Sequence, residues 1–161
     1  MITIYTDGSF RASENCGGYG VVAFNDNNEL IYAYQEQVHN VTNNIMELQA
    51  ILHATDFIDE NCPNEQVTIY SDSSYAVNSI NVWSAGWAAN GWINSKKEPV
   101  KNLGLIQSLY FYFTKNFRKC QIVYLKGHNE TLGNELADAL ATHDGTKFRT
   151  LLEKNHVKVK I

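Results

Sequence analysis

Two seven-residue segments of this chain are near copies of one another. Residues 3–9 read Thr-Ile-Tyr-Thr-Asp-Gly-Ser, and residues 68–74 read Thr-Ile-Tyr-Ser-Asp-Ser-Ser. Both are rich in β-branched and aromatic residues, and both run into an aspartate followed by small residues, the pattern of a strand that ends at the acid. In each, the two-residue period puts Thr, Tyr and Asp on one face and Ile on the other. If the two strands are parallel neighbours, Asp7 and Asp72 sit side by side on backbones about 4.8 Å apart. They also lie at the carboxyl ends of the strands, where open α/β sheets bind ligands. Two carboxylates that close repel, and one resists ionisation unless a cation joins them. A turn or cap role accounts for a single aspartate in such a place; a matched pair points to a shared site.

The rest of the chain supplies the sheet and helices around that pair. Gly17-Gly18 punctuates the chain before a second strand, Tyr19 to Phe24, and Asn25-Asp26-Asn27-Asn28 turns it into a third, Leu30 to Val38. These three form an antiparallel meander. Thr42 or Asn43 caps a helix running to about Asp59, with Ile45, Leu48, Ile51, Leu52 and Ile58 at helical spacing. Residues 66–71 form a fourth strand, 73–81 a helix, 82–95 an irregular stretch with three tryptophans, and 101–117 a helix. A fifth strand over 121–126, a helix over 132–143, a short helix over 148–154 and an extended end complete the order. Hairpin-linked early strands pair antiparallel and helix-linked later ones parallel. The expectation is an α/β fold with a mixed five-stranded sheet and no internal linker.

Two further acids stand out. Glu47 begins the series 47, 51, 54, 58 (Glu, Ile, Ala, Ile), so it continues the core-facing stripe of its helix. A buried acid is costly unless paired, hydrogen-bonded or bound to metal, although an acid near a helix N-terminus is favourable even when exposed. Asp138 lies in a small-residue helix, Leu-Gly-Asn-Glu-Leu-Ala-Asp-Ala-Leu-Ala (132–141), suited to close packing on a sheet. His128, on a loop after Lys126-Gly127, becomes a candidate proton carrier if it stands near a metal–carboxylate site.

Charge is divided along the chain. The net value is −4, but residues 1–95 carry one cation (Arg11) against eleven acids, while residues 96–161 carry twelve Lys/Arg against six acids. Such a split suits an acidic, cation-binding pocket beside a basic surface for phosphates, as well as an uneven solvated surface. With 44% hydrophobic residues the chain buries a sizeable core, which excludes disorder. No apolar run approaches the roughly 20 residues of a membrane span, and no signal peptide is visible. Cys16, Cys62 and Cys120 are odd in number and far apart, which argues against a disulfide framework or a cysteine zinc site and suits a reducing compartment.

Taken together, the segments TDGS (6–9), GGYG (17–20), TNNIMEL (42–48), SDSSY (71–75), KKEPVKN (96–102), KGH (126–128) and NELAD (134–138) resemble the type 1 ribonuclease H family. Their order and spacing match over roughly residues 1–145, which the resemblance makes the catalytic domain, leaving 146–161 as a C-terminal tail. The resemblance implies a nuclease that cuts the RNA strand of RNA–DNA hybrids, leaving 5′-phosphate and 3′-hydroxyl ends. It implies that Asp7, Glu47, Asp72 and Asp138 bind two Mg²⁺ (or Mn²⁺) ions, with Ser71 where the family usually has Thr. Asp7 would bridge both ions, Glu47 and Asp72 would hold one, and Asp138 would help hold the other. Hard cations prefer such all-oxygen sites, and paired ions assist both the attacking and the leaving oxygen. His128 takes the place of the family's mobile loop histidine.

The resemblance also implies a substrate surface. Gly8, Ser9, Asn43, Asn44 and Ser74, with Asn134, would line the groove where the RNA 2′-hydroxyls are read, although Asn43-Asn44 also suits helix capping. The stretch from Trp83 to Lys97 aligns with a basic handle that grips the DNA strand, with Trp87, Lys96 and Lys97 as contacts. Here the pattern departs: Ala-Ala-Asn-Gly stands between Trp87 and Trp92 where basic members carry Lys/Arg. Of the three tryptophans, two are expected to pack and one to remain for stacking. Fewer cations release fewer counterions, so hybrid affinity should be weaker and less salt-dependent than in basic members. The family's separate N-terminal hybrid-binding domain is expected to be absent.

Three alternatives remain at this stage. One is a resolvase- or integrase-like nuclease of the same architecture acting on DNA. Another is a hybrid- or RNA-binding module that has lost catalysis. The third is a domain detached from a reverse transcriptase, against which initiation at Met1 fits a free-standing protein. The expected setting is cytoplasmic (host-cell cytoplasm for a viral protein), with a monomer, an RNA–DNA hybrid as partner and no membrane.

Overall fold

The computed structural model describes residues 1–127 and 131–161. Its strands are β1 (Ile2–Arg11), β2 (Cys16–Phe24), β3 (Leu30–His39), β4 (Val67–Ser71) and β5 (Cys120–Tyr124). Its helices are α1 (Asn43–Asn61), α2 (Ser74–Asn78), α3 (Ser84–Ala89), α4 (Leu103–Lys115), α5 (Leu132–Ala141) and α6 (Gly145–Lys154). The strands form one sheet in the order β3-β2-β1-β4-β5. The first three are antiparallel, and β4 and β5 run parallel to β1. This is the mixed five-stranded α/β sheet that the hairpin and helix linkages require.

The two near-copies are neighbours in register: Thr3 pairs with Thr68, Ile4 with Ile69, Tyr5 with Tyr70 and Thr6 with Ser71. The period-two split then sorts the side chains. Ile2, Ile4 and Ile69, with Val21 and Ala23, enter one core beneath α1 and α4, whose Ile51, Ile58, Ile106 and Leu109 are fully or almost fully buried. On the opposite face Val22, Phe24 and Leu30 meet Leu136, Ala137 and Leu140 of α5 in a second core. Tyr5 and Tyr70 stack on each other with ring centroids 5.3 Å apart.

Three boundaries differ from those expected. β1 does not end at Asp7 but continues to Arg11, because β2 goes on pairing with it as far as Arg11–Cys16 after β4 has stopped at Ser71. Gly17 and Gly18 are strand residues rather than punctuation. The reason is close packing: a Cβ on Gly18 would come 2.3 Å from the Ala141 carbonyl oxygen, and one on Gly20 would come 2.4 Å from that of Ala137. Finally, much of the stretch expected to be irregular is helical. A π-type turn over Ser79–Trp83 links α2 to α3, so that Trp83 and Trp87 lie on helical backbone.

The C-terminus folds back onto the sheet. Phe148, Leu151 and Leu152 of α6, with Val157, pack against the α5 core. Beyond α6, the Leu30 N–H donates to the Lys158 carbonyl and the Lys160 N–H to the Leu30 carbonyl, each at 2.8 Å. This one-residue parallel bridge covers the start of the edge strand β3.

Replacing Gly20 by Ala tests the strand–helix contact. The added methyl meets helix backbone that cannot rotate away, so we expect a loss of about 1–3 kcal/mol in unfolding free energy, read as a lower urea midpoint. An unchanged midpoint would show that α5 shifts freely on the sheet.

Candidate active site

The site forms where β1 and β4 part. One residue past the last parallel pair, Thr6–Ser71, stand Asp7 and Asp72. β4 has ended there, and Ser73 caps α2 by accepting the Ala76 N–H at 3.1 Å. Glu47 arrives from the other face of the sheet. It lies in the second turn of α1, which Thr42 caps by accepting the Ile45 N–H at 3.2 Å. Capping by Thr42 leaves the Asn43 and Asn44 side chains exposed in the first turn.

Gly8 makes the approach of α1 possible. A Cβ there would lie 2.5 Å from the Glu47 backbone nitrogen and 2.7 Å from the Met46 carbonyl carbon. Without one, the helix start rests on the strand, and the Gly8 N–H donates to Glu47 Oε1 at 2.6 Å and to Asp7 Oδ1 at 2.9 Å. One backbone amide thus tethers two carboxylates. Asp7 and Glu47 are only 5% and 3% exposed, while Asp72 is partly open to solvent. One oxygen from each of Asp7, Glu47 and Asp72 lies within 4.8 Å of the others, the one such acidic group among the described residues.

The electrostatics of that cluster are unfavourable without a cation. Burial raises the Asp7 pKa most, and the Glu47 and Asp72 charges raise it further. Burial also raises Glu47, followed by the Asp72 charge, while hydrogen bonds from Asp7 and Gly8 oppose the rise. Glu47 Oε2 is buried and has no hydrogen-bond partner. A buried oxygen without a donor is costly. An all-carboxylate set with a spare inward lone pair fits a hard divalent cation in every respect the donor chemistry can test.

Asp138 is placed beside this set rather than inside it. It projects from α5, and its carboxyl adds to the rise of the Asp7 pKa. Its Oδ2 accepts from Lys147 Nζ at 2.8 Å, with both side chains about half exposed. That hydrogen bond raises the Lys147 pKa above the ordinary lysine value. Lys147 is a site neighbour that sequence reading missed. Nothing in local periodicity links it to Asp138, since a helix break separates them.

The expected substrate residues are scattered more widely. Ser9 lies two residues beyond Asp7 on β1, and Ser74 is exposed at the start of α2. Asn134 is 8% exposed in the first turn of α5. Trp87 and Trp92 pack against the main core, whereas Trp83 is 42% exposed. Trp83, Trp87 and Ile93 with Lys97 line an open groove of about 910 Å³. Lys96 and Lys97 are exposed in a tight turn that Asn94 organises by accepting the Lys96 and Glu98 N–H groups. His128 lies outside the described residues.

A family model for RNase H matches residues 1–145. A protein named ribonuclease H from Polaromonas sp. is 38% identical over 142 residues, covering 88% of this chain and 86% of that protein. A foamy viral protease-reverse transcriptase, solved in complex with an RNA/DNA hybrid, superposes with a TM-score of 0.78 at 27% identity. That match covers 88% of this chain and 19% of the viral one, so this chain spans about a fifth of that protein. LC9-RNase H1, described as a type 1 RNase H, shares the fold with a TM-score of 0.75 at 22% identity, over 99% of this chain and 86% of its own.

The raised acids give stability a definite pH dependence. Both folded-state values lie above the unfolded ones, so the folded protein keeps protons that the unfolded chain gives up near pH 4. The pair's favourable contribution is complete below that pH and is lost as pH rises towards the folded-state values. In EDTA, the melting temperature of wild type should therefore fall, relative to Asp7→Asn, between pH 5 and pH 8.5. Parallel profiles for the two proteins would contradict the burial-driven shift.

Proposed function

The chain belongs to the RNase H family and is a ribonuclease H, and on that premise we propose that it cuts the RNA strand of RNA–DNA hybrids internally, using two divalent cations, Mg²⁺ or Mn²⁺. The observation that carries this reading is the buried Asp7–Glu47–Asp72 cluster with its unpartnered Glu47 oxygen. The hybrid held by the foamy viral relative supports the choice of substrate.

Asp7, Glu47 and Asp72 would hold one cation, and Asp7 with Asp138 the other. When bound, such ions make a water nucleophilic near neutral pH and stabilise charge on a departing oxygen. The chain's own groups do the rest. The Gly8 amide holds the Asp7 and Glu47 carboxylates in place, so little reorganisation is left for the reaction itself. A water oxygen bonds to phosphorus, the bond from phosphorus to the 3′ oxygen breaks, and the products carry a 5′-phosphate and a 3′-hydroxyl. His128 is the group we assign to carry a proton away from the site or to assist product departure.

We assign strand discrimination to the rim. The Asn43 and Asn44 amides stand exposed in the α1 turn that precedes Glu47, and each both donates and accepts, which suits a 2′-hydroxyl. We assign Gly8, Ser9 and Ser74 to the same rim, together with Asn134, four residues before Asp138 on α5. Trp87, Lys96 and Lys97 are proposed to meet the DNA strand. With few cations in this handle, affinity depends little on counterion release. Buried, unpaired Cys16, Cys62 and Cys120 support a reducing, cytoplasmic setting, and we take the working unit to be a monomer. No described helix is long and apolar enough to cross a membrane.

Cleavage of a labelled RNA–DNA duplex, with RNA–RNA and DNA–DNA duplexes alongside, tests the reading. We expect metal-dependent cutting confined to the RNA of the hybrid. Asp72→Asn should lower kcat by at least about 10²-fold, the loss typical when one preorganised electrostatic group is removed. Tight hybrid binding without cutting would make the chain a binding module, and cutting of duplex DNA would place it with the resolvases.

A further inference from the structure

The family match ends at residue 145, yet the first turn of the next helix supplies a side chain to the site. Lys147 Nζ lies 2.8 Å from Asp138 Oδ2, an ion pair to one of the four acids. The lysine is presented on a fixed support. Asp144 caps α6 by accepting the Lys147 N–H at 3.0 Å, so the backbone under the side chain is set. Phe148, Leu151 and Leu152 bind the helix to the α5 core, and the bridge from Lys158 and Lys160 to Leu30 ties down its far end. Lys158 and Lys160 also reach Glu29, at 3.7 and 3.9 Å.

One Asp138 oxygen is therefore already engaged by the Lys147 ammonium. An oxygen engaged by an ammonium has one lone pair fewer for a cation, and the ammonium's charge repels that cation. We propose that Lys147 is a built-in competitor for the Asp138 carboxylate, which must release it before Asp138 can join a divalent cation. In this way α6 sets the metal concentration at which the Asp138 position fills. The inference rests on the assignment of Asp138 as a metal-holding residue.

The test is Mn²⁺ binding to the full chain, followed by calorimetry and by water-proton relaxation, neither of which depends on turnover. Lys147→Gln should tighten the weaker class of Mn²⁺ sites about two- to five-fold, the range set by releasing a half-exposed ion pair. Lys147→Arg should stay close to wild type. Lys154→Gln, at the other end of α6, removes the same charge without the contact and should change nothing. In an Asp138→Asn background, Lys147→Gln should have no further effect. Melting temperatures of all variants identify any that fail to fold, and Lys147→Met, which also removes the charge while keeping the stem packing, should show the same tightening.

Unchanged or weakened Mn²⁺ binding in Lys147→Gln, or an equal effect of Lys154→Gln, would overturn the proposal. Hybrid cleavage by the wild type separates the two levels. If it persists while Lys147→Gln titrates like wild type, the lysine inference fails and the ribonuclease reading stands. If wild type binds no Mn²⁺ at all, both fail together.

Discussion

Everything at this site depends on keeping like charges together. Asp7, Glu47 and Asp72 come from strand β1, helix α1 and the turn after β4, and two of them are almost completely buried. Left to themselves they would separate or stay protonated. Backbone geometry holds them instead. The register of β1 on β4 sets the two aspartates abreast, and the missing side chain at Gly8 lets α1 rest on β1 so that one amide serves two carboxylates. The fold thus concentrates negative potential at one end of the sheet, and that potential selects a hard cation as its natural partner.

The two cores explain why this geometry is rigid. On one face, isoleucines from β1 and β4 fix α1 and hence Glu47; on the other, glycines of β2 let α5 settle on the sheet and so position Asp138. The acids are attached to both layers, so a shift of either helix changes their spacing. The C-terminal segment takes part in the same arrangement. It closes the edge of β3 and braces α6 against α5, which couples the end of the chain to the fourth acid.

Much of this was legible in the sequence, for physical reasons. The repeated Thr-Ile-Tyr-x-Asp segment shows both the alternation of a strand and the face on which the acid falls, and the parallel register followed from placing the copies side by side. The stripe from Glu47 to Ile58 showed an acid continuing a buried face, where the structure puts it. Other features have no local signature. Gly17-Gly18 reads as a turn because its reasons are distant in sequence: Gly18 makes room for the α5 backbone and Gly17 for Val41 and Met46. β1 continues past Asp7 through Gly8 and Ser9, poor strand formers that β2 nevertheless pairs. The helical stretch after Ser79 lacks a clean apolar period, and its Trp83 stays largely exposed. Lys147 meets Asp138 across a break between helices, a contact that no single-helix spacing encodes.

If the three carboxylates hold a cation, the most direct measurement is where that cation goes. A crystal structure of the protein grown with Mn²⁺ locates manganese by its anomalous scattering. We expect a peak coordinated by Asp7, Glu47 and Asp72, with Glu47 Oε2 no longer unpartnered. Well-ordered carboxylates around an empty centre, or manganese bound only elsewhere on the surface, would contradict it.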